Sequence, residues 1–410
     1  MHALTRNLLL LPAALLVWSC NSTTVKSTDQ SPITVQSVEQ TPEDQLLDVG
    51  VGIFDPGVDG LKEEEDSQVF PEVRKAEARY MPNVLAATLQ NSGAWGVVRV
   101  VPDRQSEMDI WVDGRIIQSD GEFLKVAVTV QDSSGKVWFT KNYEEEASKY
   151  SYDREVQRQK LEPFQGVYNR IANDMLAYRS VLQPPDVYTL RTITELKFAQ
   201  RFAPEIFADY LVTDGKGRYG IKRLPADNDP LLERLRRIRE RDNLFVDTLQ
   251  DYYTSFAGQM REPYTQWRDE SYKETLDLRE ANRSATARTV GGVLVGLAGI
   301  AAAILAGGSN NGYVSSAGTA AAVVGIGAGT MLVKSGLDQR AEAKMHAEAL
   351  KEIAASLDAE IAPHTVTLED RTVTLTGTVD QQYAQWRQIL RDIYETETGT
   401  APAAPVNEAN

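Results

Sequence analysis

The residues that could do chemistry are few, and one of them stands apart. Cys20 is the only cysteine among 410 residues, so no intrachain disulfide can form, and it closes the string Leu16-Val17-Trp18-Ser19-Cys20. Of the three histidines, His2 lies at the extreme N-terminus, and His346 and His364 stand in no HExxH or comparable metal spacing. No nucleophile elbow, Walker loop or dinucleotide fingerprint follows a strand pattern, so we expect no catalytic residue, no metal and no cofactor: the pattern is that of a non-enzyme. The stretch Asp214-Gly215-Lys216-Gly217-Arg218-Tyr219-Gly220 could cradle an anion, but it lacks the Gly-Lys-Ser/Thr ending and reads as a flexible loop. Glu63-Glu64-Glu65-Asp66 and Glu144-Glu145-Glu146 read as solvated faces. With 58 acidic against 43 basic residues, carboxylates are too common for any pair to be singled out as acid and base. The net charge of -15 also opposes nucleic-acid binding and adhesion to anionic lipid, since both need clustered cations.

The place of Cys20 in the chain gives it a role. Arg6 precedes an apolar run from Leu8 to Leu16, too short for a stop-transfer helix and right for a cleaved export signal, so residues 1–19 read as a signal peptide. This segment resembles a bacterial lipoprotein signal, whose lipobox ends in a cysteine that is acylated on sulfur and becomes the new N-terminus. The resemblance implies lipidation of Cys20 by acyl chains such as palmitate. Asn21, rather than Asp, follows the cysteine, and by the same resemblance this points to the periplasmic face of the outer membrane. An ordinary signal peptide would leave a free thiol in an oxidising compartment, which is a liability. Residues 20–45, rich in Ser, Thr, Gln, Asp and Pro, then form a lipidated tether with little to bury.

The rest of the chain reads as an α+β multidomain protein. Residues 46–182 form an α/β sheet domain that should fold without the rest. Val49, Val51, Ile53 and Phe54 make a first buried strand stopped by Asp55-Pro56-Gly57, and residues 72–91 follow helical spacing. Four strand runs come next: Trp95 to Val101, Asp109 to Ile117, Phe123 to Val130 and Val137 to Tyr143. In the third, Leu124, Val126, Val128 and Val130 alternate with Lys125, Ala127 and Thr129, and a helix over about 155–181 closes the layer.

The strand Asp109 to Ile116, the hairpin after Leu124 and the turn Asp132-Ser133-Ser134-Gly135-Lys136-Val137-Trp138 resemble the TolB N-terminal-like and curli-secretion-lipoprotein group. That resemblance covers about a third of the chain, and turn chemistry and sheet patterning carry it. It implies a periplasmic or outer-membrane component that builds channels, binds partners or activates cell-wall synthases. The membrane-spanning β-hairpins of the curli channel have no counterpart in this sequence.

Residues 186–286 read as a helical region: a helix from Leu190 to Leu211, a polar loop from Thr213 to Asn228, and a long tract from Pro230 to Arg283 that Pro263 should kink or divide. Phe245, Tyr252, Tyr253, Phe256, Tyr264, Trp267 and Tyr272 recur at helical intervals and read as the core of a helical hairpin. Residues 289–333 carry no charge, enough for two helices around Ser309-Asn310-Asn311-Gly312. Gly292 and Gly296, with Gly325 and Gly329, place small residues on one face of each arm, so the segment resembles a glycine-zipper hairpin, either in contact with a membrane or buried between protein helices. Residues 338–397 read as a small C-terminal α-β-β-α module, with Asp380 capping a last helix whose Trp386, Ile389, Leu390 and Ile393 form a stripe. The order of elements and Val373-Thr374-Leu375-Thr376-Gly377-Thr378-Val379 resemble a BON-type envelope domain, a type associated with phospholipid binding. Residues 398–410 read as a disordered tail.

These readings together give a lipid-anchored envelope protein that scaffolds or assembles a complex, with an export-channel subunit as the alternative. The partners expected are the membrane, through the anchor and the hairpin, other envelope proteins and further copies of the chain, and no nucleic acid.

Overall fold

The computed structural model describes residues 42–59, 70–102, 107–148, 150–153, 161–305, 348–352, 355, 363–367 and 372–398, with side chains of the longest helix described as far as Asp277. The fold is a mixed α and β one built on a five-stranded mixed sheet.

Strand β1 (Val49–Gly52) is joined through helix α1 (Pro71–Asn91) to β2 (Val98–Val101), and the two strands pair in parallel, as a helical crossover requires. Strand β3 (Ile110–Ser119) pairs in parallel on the other side of β1, and β4 (Phe123–Asp132) and β5 (Val137–Glu146) extend it as an antiparallel meander, giving the order β2-β1-β3-β4-β5. The alternation read in β4 is observed: Leu124, Val126, Val128 and Val130 are buried, and the residues between them are half-exposed. Helix α1 and helix α2 (Gln165–Arg179) lie side by side against this sheet.

The β4–β5 turn is fixed by one carboxylate. Asp132 Oδ1 accepts from the amides of Ser134 and Lys136 at 3.0 and 3.1 Å, and its Oδ2 accepts from the Trp138 indole at 3.0 Å. Gly135 turns the chain at φ +86°, a conformation other residues resist. Trp138 then stacks on Tyr178 of α2 with centroids 4.6 Å apart, so the turn also sets how a helix meets the sheet.

After α2 come α3 (Pro184–Phe202), the short α4 (Pro204–Phe207), and a hairpin of β6 (Leu211–Thr213) and β7 (Tyr219–Ile221). Where a flexible loop was expected, Asp214 builds a turn. Its Oδ1 accepts from the amides of Lys216 and Arg218, and Gly217 supplies φ +76°. The Tyr219 amide bonds the Ser134 carbonyl, so this hairpin docks on the β4–β5 turn.

Helix α5 runs unbroken from Pro230 to Leu305, so Pro263 does not divide it. A proline inside a helix removes one donor and costs about 3 kcal/mol or more. Met260, Tyr264 and Trp267, all nearly inaccessible, surround Pro263 in sequence, and their burial holds the helix together across it. Its aromatic residues pack against α1, β2 and the C-terminal module, rather than in a helical hairpin of their own. That module contains helical residues 348–352, strands β8 (His364–Thr367) and β9 (Thr372–Leu375), and helix α6 (Val379–Thr398). The cap of α6 is Thr378 instead of Asp380: Thr378 Oγ1 accepts from the Gln381 amide at 3.3 Å while Gln381 Oε1 accepts from the Thr378 amide at 2.9 Å. Asp380 lies one residue inside, in the first turn, where its charge still favours the helix.

The turn carries the first test. Asp132→Ala leaves two amides and a buried indole N–H without their acceptor, a loss of about 1–3 kcal/mol. Urea unfolding should show the lower midpoint, with tryptophan emission moved to the red before the global transition.

Candidate functional site

The densest polar constellation lies where α1, the end of β3, Glu162 and α5 converge. Glu77 of α1 is 0% exposed. Its Oε1 accepts from Ser119 Oγ at 2.6 Å and from the Tyr264 hydroxyl at 2.7 Å. Its Oε2 makes no hydrogen bond and lies 3.7 Å from Arg74 Nε. Beside it, Arg268 is 1% exposed, bonds Glu162 Oε1 at 2.5 Å and Oε2 at 3.3 Å, and lies 4.0 Å over the Tyr264 ring. Tyr80 donates to the other side of Glu162 at 2.9 Å. The strand end joins through Gly121, where an added Cβ would lie 2.2 Å from the Arg268 carbonyl, and through Ser271, whose hydroxyl donates to the Asp120 carbonyl at 2.7 Å.

The electrostatics follow from the lack of water. Burial raises the Glu77 carboxyl above its ordinary 4.5, against the pull of Arg74, Ser119, Tyr264 and Arg268. For Arg268, burial works against the charge, but Glu162 and the neighbouring tyrosines outweigh it and hold the guanidinium well above its ordinary value. Tyr80 and Tyr264 are raised, first by burial and then by the carboxylates they face.

A second cluster lies farther back along α5. Asp242 and Arg387 of α6 pair at 2.6 Å with both side chains under a tenth exposed, and Arg387 faces the rings of Phe198, Phe202 and Tyr383. Burial raises the Asp242 carboxyl, against the opposing pull of Arg387. Nearby, Glu107 pairs with Arg201 and Lys197 of α3, and Asp109 accepts from Thr194 Oγ1 at 2.6 Å and from the Asp48 amide at 2.9 Å. Burial, then the charge of Asp48, raises the Asp109 carboxyl. Between the two clusters, Arg99 of β2 bonds Asp247 at 2.6 and 3.0 Å, and the Val100 amide donates to Gln250 at 2.8 Å. Side chains of α5 thus cover a donor on the sheet edge.

These groups join elements distant in sequence, and Glu77 and Asp242 are sealed from solvent, each with one carboxylate oxygen that makes no hydrogen bond. What they can do chemically is hold a charged contact in the dark of the core. The residues singled out from sequence lie elsewhere. Cys20, His346, Gly325 and Gly329 fall outside the described residues, as does Glu63 to Asp66, while Gly292 and Gly296 lie on the unbroken backbone of α5. His364 begins β8 and meets Phe245 edge-on at 5.5 Å. Glu144 and Glu145 on β5 pair with Lys125 and Arg170. Glu77 and Arg268 carried a signal: Glu77 falls on the apolar stripe of α1 between Val73 and Met81, and Arg268 falls one turn after Tyr264.

Among the described residues, no group of three or more His, Cys, Asp or Glu could hold a metal ion, and no helix is long and apolar enough to cross a membrane. Comparison of the chain with protein-family models, with curated proteins and with solved structures gives no match.

The joint under Arg268 gives two expected outcomes. Arg268→Met removes the cation that meets the Glu162 carboxylate and leaves it the Tyr80 hydroxyl, and should cost about 3–5 kcal/mol, read as a fall in the denaturant midpoint. Glu77 is the pH-dependent member. Its folded-state value is raised, so the folded chain binds the extra proton and stability falls as pH rises from 4.5 through the raised value. Against Glu77→Gln, wild type should therefore lose relative stability on going from acid to neutral pH. A constant difference across that range in thermal melts would refute the burial argument.

Proposed function

We propose that the chain is a non-enzymatic, lipid-anchored protein of the cell envelope, held at the periplasmic face of the outer membrane through Cys20, that scaffolds or assembles an envelope complex. The observation that carries this reading is the single helix from Pro230 to Leu305, fastened to the sheet by Asp247 and Arg268 and to the C-terminal module by Asp242. Its described side chains reach the body around the sheet as far as Tyr272, which meets Tyr152, in the turn after β5, with centroids 5.5 Å apart. The same helix then continues through Gly292, about 30 Å farther along its axis at 1.5 Å per residue. A rod locked to a folded body and extending into an uncharged, glycine-spaced segment is suited to hold parts of an assembly in register. One oxygen each of the buried Glu77 and Asp242 carboxylates is bonded to the chain's own hydroxyls or guanidinium group, an arrangement that supports the non-enzymatic reading.

The proposed layout is the one the sequence gives rise to: tether 20–45, interaction domain 46–182, helical region 186–286, glycine-zipper hairpin 289–333 and end module 338–397. The likeness to the TolB N-terminal-like and curli-secretion group is supported by the Asp132 turn and its Trp138 lock. An oligomeric export-channel subunit is the second reading. It is favoured by the glycine spacing, and it requires Gly296→Leu with Gly325→Leu to lower both oligomer mass and membrane conductance.

Membrane fractionation with lipid labelling tests the anchor. Cys20→Ser should abolish label incorporation and either release the chain from membranes or leave it as unprocessed precursor. Unchanged lipid labelling of that variant would overturn the proposal.

A further inference from the structure

We propose that the corner between α2 and α3, formed by Val181, Pro184, Pro185 and Tyr188, is the surface that lies against the lipid bilayer when the chain is held at Cys20. The proposal rests on the lipid anchor argued above and adds an orientation to it. Val181 is 67% and Tyr188 62% exposed, two of the most exposed large apolar side chains among the described residues. They are held outward by rigid structure. The Gln183 and Asp186 capping box and Pro184 start α3 at this point, and Val187 and Leu190 face the core, so the helix cannot turn Tyr188 inward.

The chain enters the fold on this same corner. Arg191 of α3 donates from Nη1 to the Glu43 and Asp44 carbonyls at 3.2 and 2.6 Å, and Arg179 at the end of α2 donates from Nη2 to the Gln45 carbonyl at 2.7 Å. Both guanidinium groups clamp backbone, so the entry point is fixed whatever the side chains of Glu43 and Asp44 do. Pro42, at which the segment from Cys20 joins the described fold, therefore precedes residues held by Arg191 and Arg179, which flank Val181 and Tyr188 in sequence, and 22 residues fully extended span at most about 80 Å.

Charge decides how the corner would meet lipid. Arg179, Arg191 and Lys136, whose ammonium lies 5.4 Å over the Tyr178 ring, stand against Glu43, Asp44, Asp132 and Asp186, three cations against four anions. Little of the net charge of -15 is concentrated here, so repulsion from anionic lipid is weak at the corner, and it lacks the excess cations of an electrostatic lipid site. Contact would come from apolar side chains, with Tyr188 at headgroup depth, where an amphipathic ring is favoured. It should therefore be insensitive to salt.

The test uses the full lipidated chain in vesicles of phosphatidylethanolamine and phosphatidylglycerol. Tyr188→Cys and, as comparator, Leu244→Cys on α5, 63% exposed in the parent, are each labelled with a thiol-reactive, polarity-sensitive fluorophore. An acylated Cys20 sulfur cannot react, so one label per chain reports the anchor, and two labels per chain would sink the anchor independently of the corner. With one label, position 188 should emit to the blue of position 244, be quenched several-fold more by spin-labelled lipid, be protected from iodide and be unchanged by added salt. Equal iodide quenching at the two positions with no lipid quenching at 188 would overturn the proposal. So would protection of 188 that appears only when other envelope proteins are added, since that would give the corner a protein partner.

Discussion

A charge removed from water must meet an opposite charge or bonded partners, and the long helix carries several such charges into the core. Arg268 on Glu162 and Asp242 on Arg387 are buried pairs of this kind, and Arg99 meets a half-exposed Asp247; each pair joins residues far apart in the sequence. Breaking a buried pair by removing one partner costs about 3–5 kcal/mol, against a total stability of about 5–15 kcal/mol for a typical domain. These contacts therefore fix where the helix lies. A hydrophobic stripe alone would tolerate sliding by a turn, but a guanidinium that needs one particular carboxylate does not.

Given that fixed helix, the rest of the arrangement follows. The sheet edge at β2 is covered because Gln250 stands opposite the Val100 amide. The loop after β3 must approach the helix backbone so closely that Gly121, at φ +78°, is the residue that fits. The C-terminal module joins through Arg387, whose charge is met on one side by Asp242 and on the other by aromatic faces of α3 and α6. The sheet body and the end module are thus two loads on one rod, which is the physical content of the scaffold reading.

Much of the fold was legible in the sequence where a local rule acts alone. Period-two alternation marks β4, helical spacing marks α1, and the Asp-Ser-Ser-Gly turn marks the β4–β5 hairpin, because each depends on neighbours within about ten residues. The misses share a cause. Pro263 reads as a break by its local cost, yet Met260, Tyr264 and Trp267 bury enough surface on the body to override it. Asp214 reads as part of a loose loop, yet its carboxylate closes a turn that then rests on Ser134, eighty residues earlier by sequence. Glu77 reads as one acid among 58, and only its packing partners set it apart.

What the sequence by itself determined is therefore that Cys20 is the single cysteine, the excess of acidic residues, the uncharged glycine-spaced segment and the identity of most strands. These are properties of composition and short-range pattern. The tertiary structure alone decided that α5 is one helix, that Glu77 of α1 bonds Tyr264 of α5 beside Arg268, and that Arg191 and Arg179 hold the backbone of residues 43–45. The physical reason is burial: a side chain's partners, its charge state and its exposure depend on which distant elements exclude water from it, and no window of neighbouring residues contains that information.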